Sequence, residues 1–434
     1  MSPVIIGVIG IAVLIIIMFA NMPVAFAMAL VGLVGIWLLQ SMDISFGVLA
    51  REFYQTFTTY TLSCIPMFVL MGTFAANSGI SKNLYATGYA FVGHLRGGLA
   101  LGTTIGCALF AAITGSSAAE AASMARVALP EMRKYNYDTS LATGSIAAAG
   151  TLAILIPPSM GFIVYGFLTE ESVGRLFIAG ILPGIMLTVL LMLTVYVICR
   201  INPNLGPAGE RSRWSTRLKS LSGCIDMVLL FLLVIGGLFA GIFTPTEGGA
   251  IGAGGALILS LVRRRLSWPK FVDSLKDTAI VTSMIFTILA GAFIFGRFMA
   301  YSGITFALID WVSAGYLHPY VVIWLIFIFY LIGGCFMDFT PLGALTIPVL
   351  FPIITQLGFD PIWFGVFCVM SAELALITPP VGMNVFVINA VVPDVPLNTI
   401  YRGTIPYVIT VCVSVVIVVY FPQIATFLPK LMMG

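Results

Sequence analysis

Two short polar segments interrupt stretches of the chain that are otherwise apolar, and a pair of prolines follows each. Proline removes a backbone donor and disfavours helical geometry at the residue before it, so each pair opens a helix and frees carbonyl oxygens. Hydroxyl, carboxylate and carbonyl oxygens are the ligands that hard cations prefer, which predicts cation binding at both places. The segments are TGSSAAE (residues 114–120) and GGCFMDFTP (residues 333–341), and the pairs are Pro157-Pro158 and Pro379-Pro380.

Each polar segment and its proline pair could supply the ligands of one cation site. Sodium is the simplest prediction, because the sequence has no cluster of thiolates or imidazoles that would bind a softer metal. The predicted ligands of the first site are Ser116, Ser117, Thr151 and the carbonyl groups of Ile156 and Pro157. Those of the second site are Asp338, Thr340, Thr378, Asn384 and the carbonyl groups of Gly334 and Pro379.

Acids in apolar surroundings are candidates for coupling ion movement to transport. Glu120 and Glu373 are the predicted coupling residues, and protons carried by these acids or by Asp338 are an alternative to sodium. The acids could also pair with hydroxyl groups and serve only to hold the segments in place. The half-helix after each proline pair points a positive dipole into the gap, which suits an anionic substrate.

An anionic substrate also needs polar contacts. Arg297, within an apolar stretch, either contacts a substrate carboxylate or pairs with an acid in the membrane. The predicted substrate contacts are Arg297, Thr114, Ser159, Thr73 and Asn384.

The composition of the chain is typical of a membrane protein. The 434 residues are 60% hydrophobic and 9% charged, whereas soluble domains carry about 25% charged residues. Apolar runs of about 20 residues, the length of a bilayer span, recur along the chain. The seven cysteines include no CxxC pair, and the two histidines lie far apart, so neither a metal centre nor a nucleophilic triad is indicated. We expect a transporter rather than an enzyme, and no nucleic-acid partner.

The apolar stretches that contain these two polar segments are too short on either side of the polar centre to cross a bilayer twice. Each is best explained as a re-entrant helical hairpin with its tip at mid-membrane. We predict hairpins at residues 97–132 and 320–354, each followed by a proline-broken helix, at residues 139–168 and 362–392. Tip and broken helix should meet in each half of the chain.

The chain repeats itself weakly at an offset of about 222 residues. LPEMRKYNYD (129–138) aligns with FPIITQLGFD (351–360), and the two proline pairs share this offset. A two-repeat architecture follows, with a first repeat at residues 1–199, a linker at 200–223 and a second repeat at 224–434.

The distribution of basic residues predicts that the repeats are inverted. Lys and Arg accumulate on the cytoplasmic side of membrane proteins, and about 16 of the 20 basic residues fall on one side of the sketch. The basic linker is then cytoplasmic, each repeat has an odd number of spans, about five, and both termini are periplasmic. Inverted repeats with broken helices are typical of secondary transporters.

These motifs together resemble a known family, the DctM-like large membrane subunits of tripartite ATP-independent periplasmic (TRAP) transporters. The resemblance extends over nearly the whole chain. It rests on GIFTPTEGGA (241–250), ITGSSAAEAASM (113–124), ILIPPSMGFIVYG (154–166), GCFMDFTPLGALTIPVLFP (334–352) and ITPPVGMNVFV (377–387).

The resemblance implies an all-α polytopic protein of the bacterial inner membrane, with an elevator-type fold of the ion-transporter superfamily. It implies sodium-coupled import of an organic acid, such as a C4-dicarboxylate or a sialic acid. It also implies two partners, a small membrane subunit of about four spans and a periplasmic substrate-binding protein. The alternative is a stand-alone sodium/anion symporter of related fold that needs no binding protein.

Overall fold

The computed structural model describes residues 2–20, 22–312 and 317–433, and every regular element in these residues is a helix, as the sequence predicts. The helices of the first half are α1 (Pro3–Phe19), α2 (Val24–Leu39), α3 (Met42–Thr58), α4 (Cys64–Asn77), α5 (Ile80–Val92), α6 (Gly98–Thr114), α7 (Ser117–Lys134), α8 (Thr139–Gly150), α9 (Leu152–Leu155), α10 (Met160–Thr169) and α11 (Val173–Ile201). A 3-10 turn (Tyr60–Ser63) leads into α4.

The second half repeats this order. Its helices are α12 (Trp214–Leu221), α13 (Ile225–Phe231), α14 (Gly237–Phe239), α15 (Pro245–Val262), α16 (Trp268–Ser302), α17 (Ile304–Trp311), α18 (Pro319–Gly334), α19 (Phe339–Gln356), α20 (Pro361–Ala375), α21 (Met383–Val391), α22 (Leu397–Tyr420) and α23 (Gln423–Met433). A π-helical segment (Leu232–Gly236) joins α13 to α14.

Several of these helices are long and apolar enough to cross a bilayer. Six helices have the length and apolar composition of a span, and the bent pair Trp214–Leu221 and Ile225–Phe239 adds a seventh if it forms one span. The apolar helices α1 and α2, of 17 and 16 residues, approach the length of a bilayer span. The six are Tyr60–Asn77, Thr139–Thr169, Val173–Ile201, Trp268–Ser302, Phe339–Gln356 and Leu397–Tyr420.

Helices at equivalent positions of the two halves exchange partners. By sequence offset, α2, α4, α7 and α10 correspond to α15, α16, α19 and α21. The structure packs α2 against α16 and α4 against α15, and it packs α7 against α21 and α10 against α19. Such an exchange is what an internal two-fold relation between the halves produces, so the repeat read from the sequence is also present in the packing.

Residues that match at the repeat offset perform the same local task. Asp138 and Asp360, which are 360 − 138 = 222 positions apart, are the N-caps of the two proline-broken helices. Each carboxylate accepts two backbone N–H groups, at 2.9 and 3.1 Å in both cases. A side-chain acceptor at this position satisfies donors that the first helical turn leaves free. The two broken helices therefore begin in the same way.

The linker contains one short helix that lies against the first half. Arg217 of α12 donates a 3.1 Å hydrogen bond to the carbonyl group of Ala90, and its guanidinium stacks 4.9 Å from the Trp214 ring. Trp214 and Leu218 remain exposed. The linker is therefore packed in part against α5.

The backbones of α8 and α22 approach closely at two glycines. A Cβ added to Gly403 would lie 1.9 Å from the Ser140 carbonyl oxygen, and one added to Gly144 would lie 2.2 Å from backbone atoms of Gly403. Both distances are far inside van der Waals contact, so this interface tolerates only glycine. The contact fixes the first broken helix against α22.

We expect Gly403→Ala to lower the free energy of unfolding by about 1–3 kcal/mol, because the added methyl group forces α8 and α22 apart. The measurement is the apparent Tm of the purified full-length chain in detergent. Gly254→Ala is the control, because a Cβ there meets no atom within 4 Å. Equal Tm values for the two variants would contradict this packing argument.

Candidate functional site

The first hairpin touches the first proline break at its tip. Gly115 joins α6 to α7 with a positive φ of 60°, and Ser116 caps α7 by accepting from the Ala119 N–H group at 3.5 Å. A Cβ on Gly115 would lie 2.9 Å from the Pro158 carbonyl oxygen. Glycine is therefore needed both for the turn and for the close approach. This contact brings the TGSSAAE segment against the first break.

The second hairpin touches the second break in the corresponding way. The Cys335 thiol lies 3.8 and 3.7 Å from the carbonyl oxygens of Thr378 and Pro379. Asp338 caps α19 by accepting from the Phe339 N–H group at 2.7 Å, and it stands 338 − 116 = 222 positions after Ser116. Both proline pairs have cis peptide bonds. The predicted meeting of tip and broken helix thus occurs in both halves.

Two buried hydrogen bonds join the two halves at this level. The Ser117 hydroxyl donates to Oε2 of Glu373 at 2.6 Å, and the Asn384 amide donates to the Ala147 carbonyl group at 3.1 Å. The partners are 256 and 237 residues apart in sequence. Ser117, Glu373 and Asn384 are at most 2% exposed. The tip of the first hairpin and both broken helices therefore form one polar cluster inside the protein.

Three side-chain oxygens of this cluster have no hydrogen-bond partner in the described part of the chain. They are Oε1 of Glu120, Oε1 of Glu373 and Oδ1 of Asn384. The second oxygen of Glu120 accepts from Thr114 at 3.1 Å. An unpartnered buried oxygen costs about 1–3 kcal/mol, so a ligand that supplies positive charge or a donor would stabilise this cluster.

The predicted hydroxyl ligands are held by their own helices. Thr151 donates to the Ala148 carbonyl group at 2.7 Å, and Thr378 donates to Leu374 at 2.7 Å. Ser159 donates to the Ile154 carbonyl group and caps α10 by accepting from Phe162 at 3.3 Å. A hydroxyl oxygen that donates its proton still has lone pairs for a cation. These bonds fix where the hydroxyl oxygens lie without removing them as ligands.

The backbone carbonyl groups of the two breaks differ in their partners. Across residues 2–20, 22–312 and 317–433, no hydrogen bond to the carbonyl oxygen of Ile156 or Pro157 is formed. At the second break the Tyr401 hydroxyl of α22 lies 2.8 and 2.6 Å from the carbonyl oxygens of Pro380 and Val381. Sequence analysis missed Tyr401, because no motif links it to a break about 20 residues earlier.

The chemistry of the donor set fits a hard cation. Within the described ranges, no three His, Cys, Asp or Glu side chains come together as a metal centre. The oxygens available are hydroxyl, amide, carboxylate and carbonyl groups. Thr340, in the first turn of α19, is 7% exposed, and Gly334 packs against Ala375 of α20. Both therefore lie at the second tip, among the predicted ligands.

Two predicted substrate contacts lie elsewhere. Arg297 donates to Oε1 of Glu52 on α3 at 2.9 Å, and the Glu52 side chain is 6% exposed. Thr73 of α4 lies 3.3 Å from the hydroxyl of Thr278, at the interface with α16. Neither forms a hydrogen bond to a hairpin tip. The Glu52 contact favours the alternative in which Arg297 pairs with a membrane acid.

We expect Tyr401→Phe to lower the free energy of unfolding by about 1 kcal/mol, because it leaves the carbonyl oxygens of Pro380 and Val381 without their donor. The apparent Tm of the purified chain measures this. Tyr196→Phe, at an exposed position of α11, is the matched control and should leave Tm unchanged. An equal loss in both variants would exclude a specific role for the Tyr401 hydroxyl.

Comparisons with known sequences find similarity to subunits of TRAP transporters. Residues 11–424 match the sequence model of the family described as "Tripartite ATP-independent periplasmic transporter, DctM component". The chain is 36% identical over 383 residues to the C4-dicarboxylate TRAP transporter large permease protein of Pseudomonas aeruginosa, covering 88% of this chain and 89% of that protein. It is 31% identical over 420 residues to the sialic acid TRAP transporter large permease protein of Vibrio cholerae, covering 96% and 97%.

A solved structure shares the fold. The YdaH transporter of Alcanivorax borkumensis superposes with a TM-score of 0.57 at 14% identity, covering 90% of this chain and 88% of that one. A third relative, the 2,3-diketo-L-gulonate TRAP transporter large permease protein of Escherichia coli, is 31% identical over 406 residues and covers 93% and 94%. The match over nearly the whole chain and these identities show that the protein belongs to the DctM family, the multi-pass large permease subunits of bacterial TRAP transporters.

Proposed function

We propose that this chain is the translocating subunit of a sodium-coupled importer of an organic acid. The observation that carries the proposal is the buried polar cluster at the two breaks, where the Ser117–Glu373 bond joins the halves and three oxygens lack partners. Such a cluster is costly in a membrane protein unless a ligand completes it. A transported cation is the ligand that its oxygens suit best.

Two sodium ions would occupy the two halves of the cluster. The first would bind Ser116, Ser117, Thr151 and the carbonyl groups at the first break. The second would bind Asp338, Thr340, Thr378, Asn384 and the carbonyl groups of Gly334 and Pro379. Glu120 and Glu373, each with one oxygen free of partners, would sense whether the ions are bound. The tips and broken helices would then move when the protein carries all of its ligands or none, but not when it carries only some of them.

The substrate would be an organic anion held between the two tips. The three relatives are transporters of C4-dicarboxylates, sialic acid and 2,3-diketo-L-gulonate, which are all acids. Thr114, Ser159 and Asn384 lie at the tips and breaks, and the dipole of each following half-helix favours negative charge there. The hydrogen bonds between the halves support movement of tips and broken helices as one body, by an elevator mechanism.

The membership of the family implies further subunits of a tripartite system. We propose that these are a small membrane subunit of about four spans and a periplasmic binding protein that delivers the acid. The protein would lie in the bacterial inner membrane with both termini in the periplasm, as its basic residues indicate.

The test is uptake into proteoliposomes under an inward sodium gradient, with this chain and its candidate small partner reconstituted together. Labelled succinate and sialic acid are supplied with and without the candidate binding protein. Uptake should need both sodium and the binding protein. Sodium-driven uptake by this chain alone would instead identify a stand-alone symporter.

In the same assay we expect Asp338→Ala to reduce sodium-driven uptake at least about tenfold, because it removes a charged ligand at the second tip. Asp273→Ala, at an exposed carboxylate of α16, is the control and should retain uptake. Membrane insertion of both variants is checked by yield and Tm. Normal uptake by Asp338→Ala would remove the second sodium site from the account.

A further inference from the structure

The two proline breaks have different surroundings. At the first break, Pro157, Pro158 and Ser159 are buried. Helix α11 lies directly on this break, because a Cβ on Gly180 would lie 2.5 Å from the Leu155 carbonyl oxygen. The first break is therefore closed by its neighbouring helix.

The second break is open. Pro379 and Pro380 are exposed. At the repeat offset, Tyr401 of α22 corresponds to the small Ala179 of α11, since 401 − 179 = 222. A groove of about 450 Å³ runs between the break and α22. This volume lies in the range of small-molecule sites. The groove is lined by Pro379, Asn398, Tyr401, Arg402 and Ile405.

Arg402, which is exposed near the start of α22, gives this groove a positive charge. In the described residues the ion pairs are Arg133–Asp394, Arg263–Asp226 and Arg297–Glu52, and Arg402 belongs to none of them. An exposed guanidinium without a protein partner is free to bind a carboxylate. Asn398, one helical turn earlier on α22, adds an amide to the same wall.

We propose that Arg402 binds a carboxylate group of the transported acid in this groove, as the substrate leaves or enters through the second break. The proposal rests on the proposed function and assigns a place to the anion that Arg297 does not provide. The planar guanidinium can donate two parallel hydrogen bonds to a carboxylate, and the Asn398 amide can donate a third. Tyr401 acts as a positioning residue, because its hydroxyl holds the break against α22.

The asymmetry of the two breaks explains why this site exists in one half only. The first break is packed against α11, whereas the break beside Arg402 is accessible. The basic-residue distribution places the start of α22 on the cytoplasmic side. The groove is thus where an inward-facing carrier would release its anion.

The experiment compares Arg402→Gln, Arg402→Lys and the control Arg200→Gln, an exposed arginine at the end of α11 that does not line the groove. Each variant of the full chain is reconstituted with the candidate small subunit, and the concentration dependence of labelled succinate or sialic acid uptake is measured. We expect Arg402→Gln to raise KM about tenfold or more and Arg402→Lys to raise it less, because lysine keeps the charge but not the bidentate geometry. Arg200→Gln should match the wild type.

A second readout separates substrate recognition from a structural role. In the wild type the unlabelled acid should inhibit uptake of the labelled acid far more strongly than its neutral amide does. Arg402→Gln should lose this discrimination between the carboxylate and the amide. Stabilisation of the protein by sodium should be equal in all variants. An unchanged KM, an equal effect of Arg200→Gln or loss of the sodium effect would each overturn the proposal.

Two controls separate substrate binding from lipid binding and from a failure of transport. If the KM effect disappears in liposomes of phosphatidylcholine alone, the groove holds an anionic lipid headgroup rather than the substrate, and the proposal is wrong. If no sodium-driven uptake occurs at all, the proposed function fails separately. In that case the Arg402 site is tested by the Tm of the chain with and without succinate and sialic acid. A stabilisation by one of these acids that is lost in Arg402→Gln supports the site. No stabilisation by either acid contradicts it.

Discussion

Backbone that opens inside a membrane must find its partners within the protein, because lipid offers none. The rest of this structure follows from how the protein encloses the two proline breaks. At the first break the hairpin tip and α11 close over the opened chain, with glycine at both points of contact. At the second break a thiol from the hairpin and the Tyr401 hydroxyl from α22 serve the free carbonyl groups. Each solution brings a hairpin tip against a break.

The consequence is a polar cluster to which both halves contribute. A buried hydrogen bond adds about 0.5–1.5 kcal/mol, so the Ser117–Glu373 bond is a stabilising link between the halves. The three partnerless oxygens nearby cost a comparable amount each. Stability alone does not explain such a cluster, whereas a bound cation would complete it.

Much of this arrangement could be predicted from the sequence, because local chemistry determines it. The proline pairs, the polar tips and the matched positions Asp138 and Asp360 are all visible in single segments. What joins the segments could not be predicted in this way. Ser117 and Glu373 are 256 residues apart, and Arg297 finds Glu52 across 245 residues. A periodic pattern reports which face of a helix is apolar, but it does not report which distant helix covers that face.

Arg297 and Arg402 differ for the same physical reason. Arg297 lies beside an acid on α3, which the helix packing brings near, and its charge is balanced there. Arg402 lies beside an opened helix, and it forms no ion pair with an acid in the part of the chain that the structure describes. One residue type therefore serves the fold at one place and is available to an anion at the other.

The most direct test of the central claim is the apparent Tm of the full-length chain in sodium chloride and in potassium chloride at equal ionic strength. Ligand that binds only the folded state stabilises it by about 2.7 kcal/mol at a hundred times its Kd. The account predicts that sodium raises Tm above the potassium value, and that Ser117→Ala reduces this difference. The same Tm in both salts would contradict a sodium site at this polar cluster.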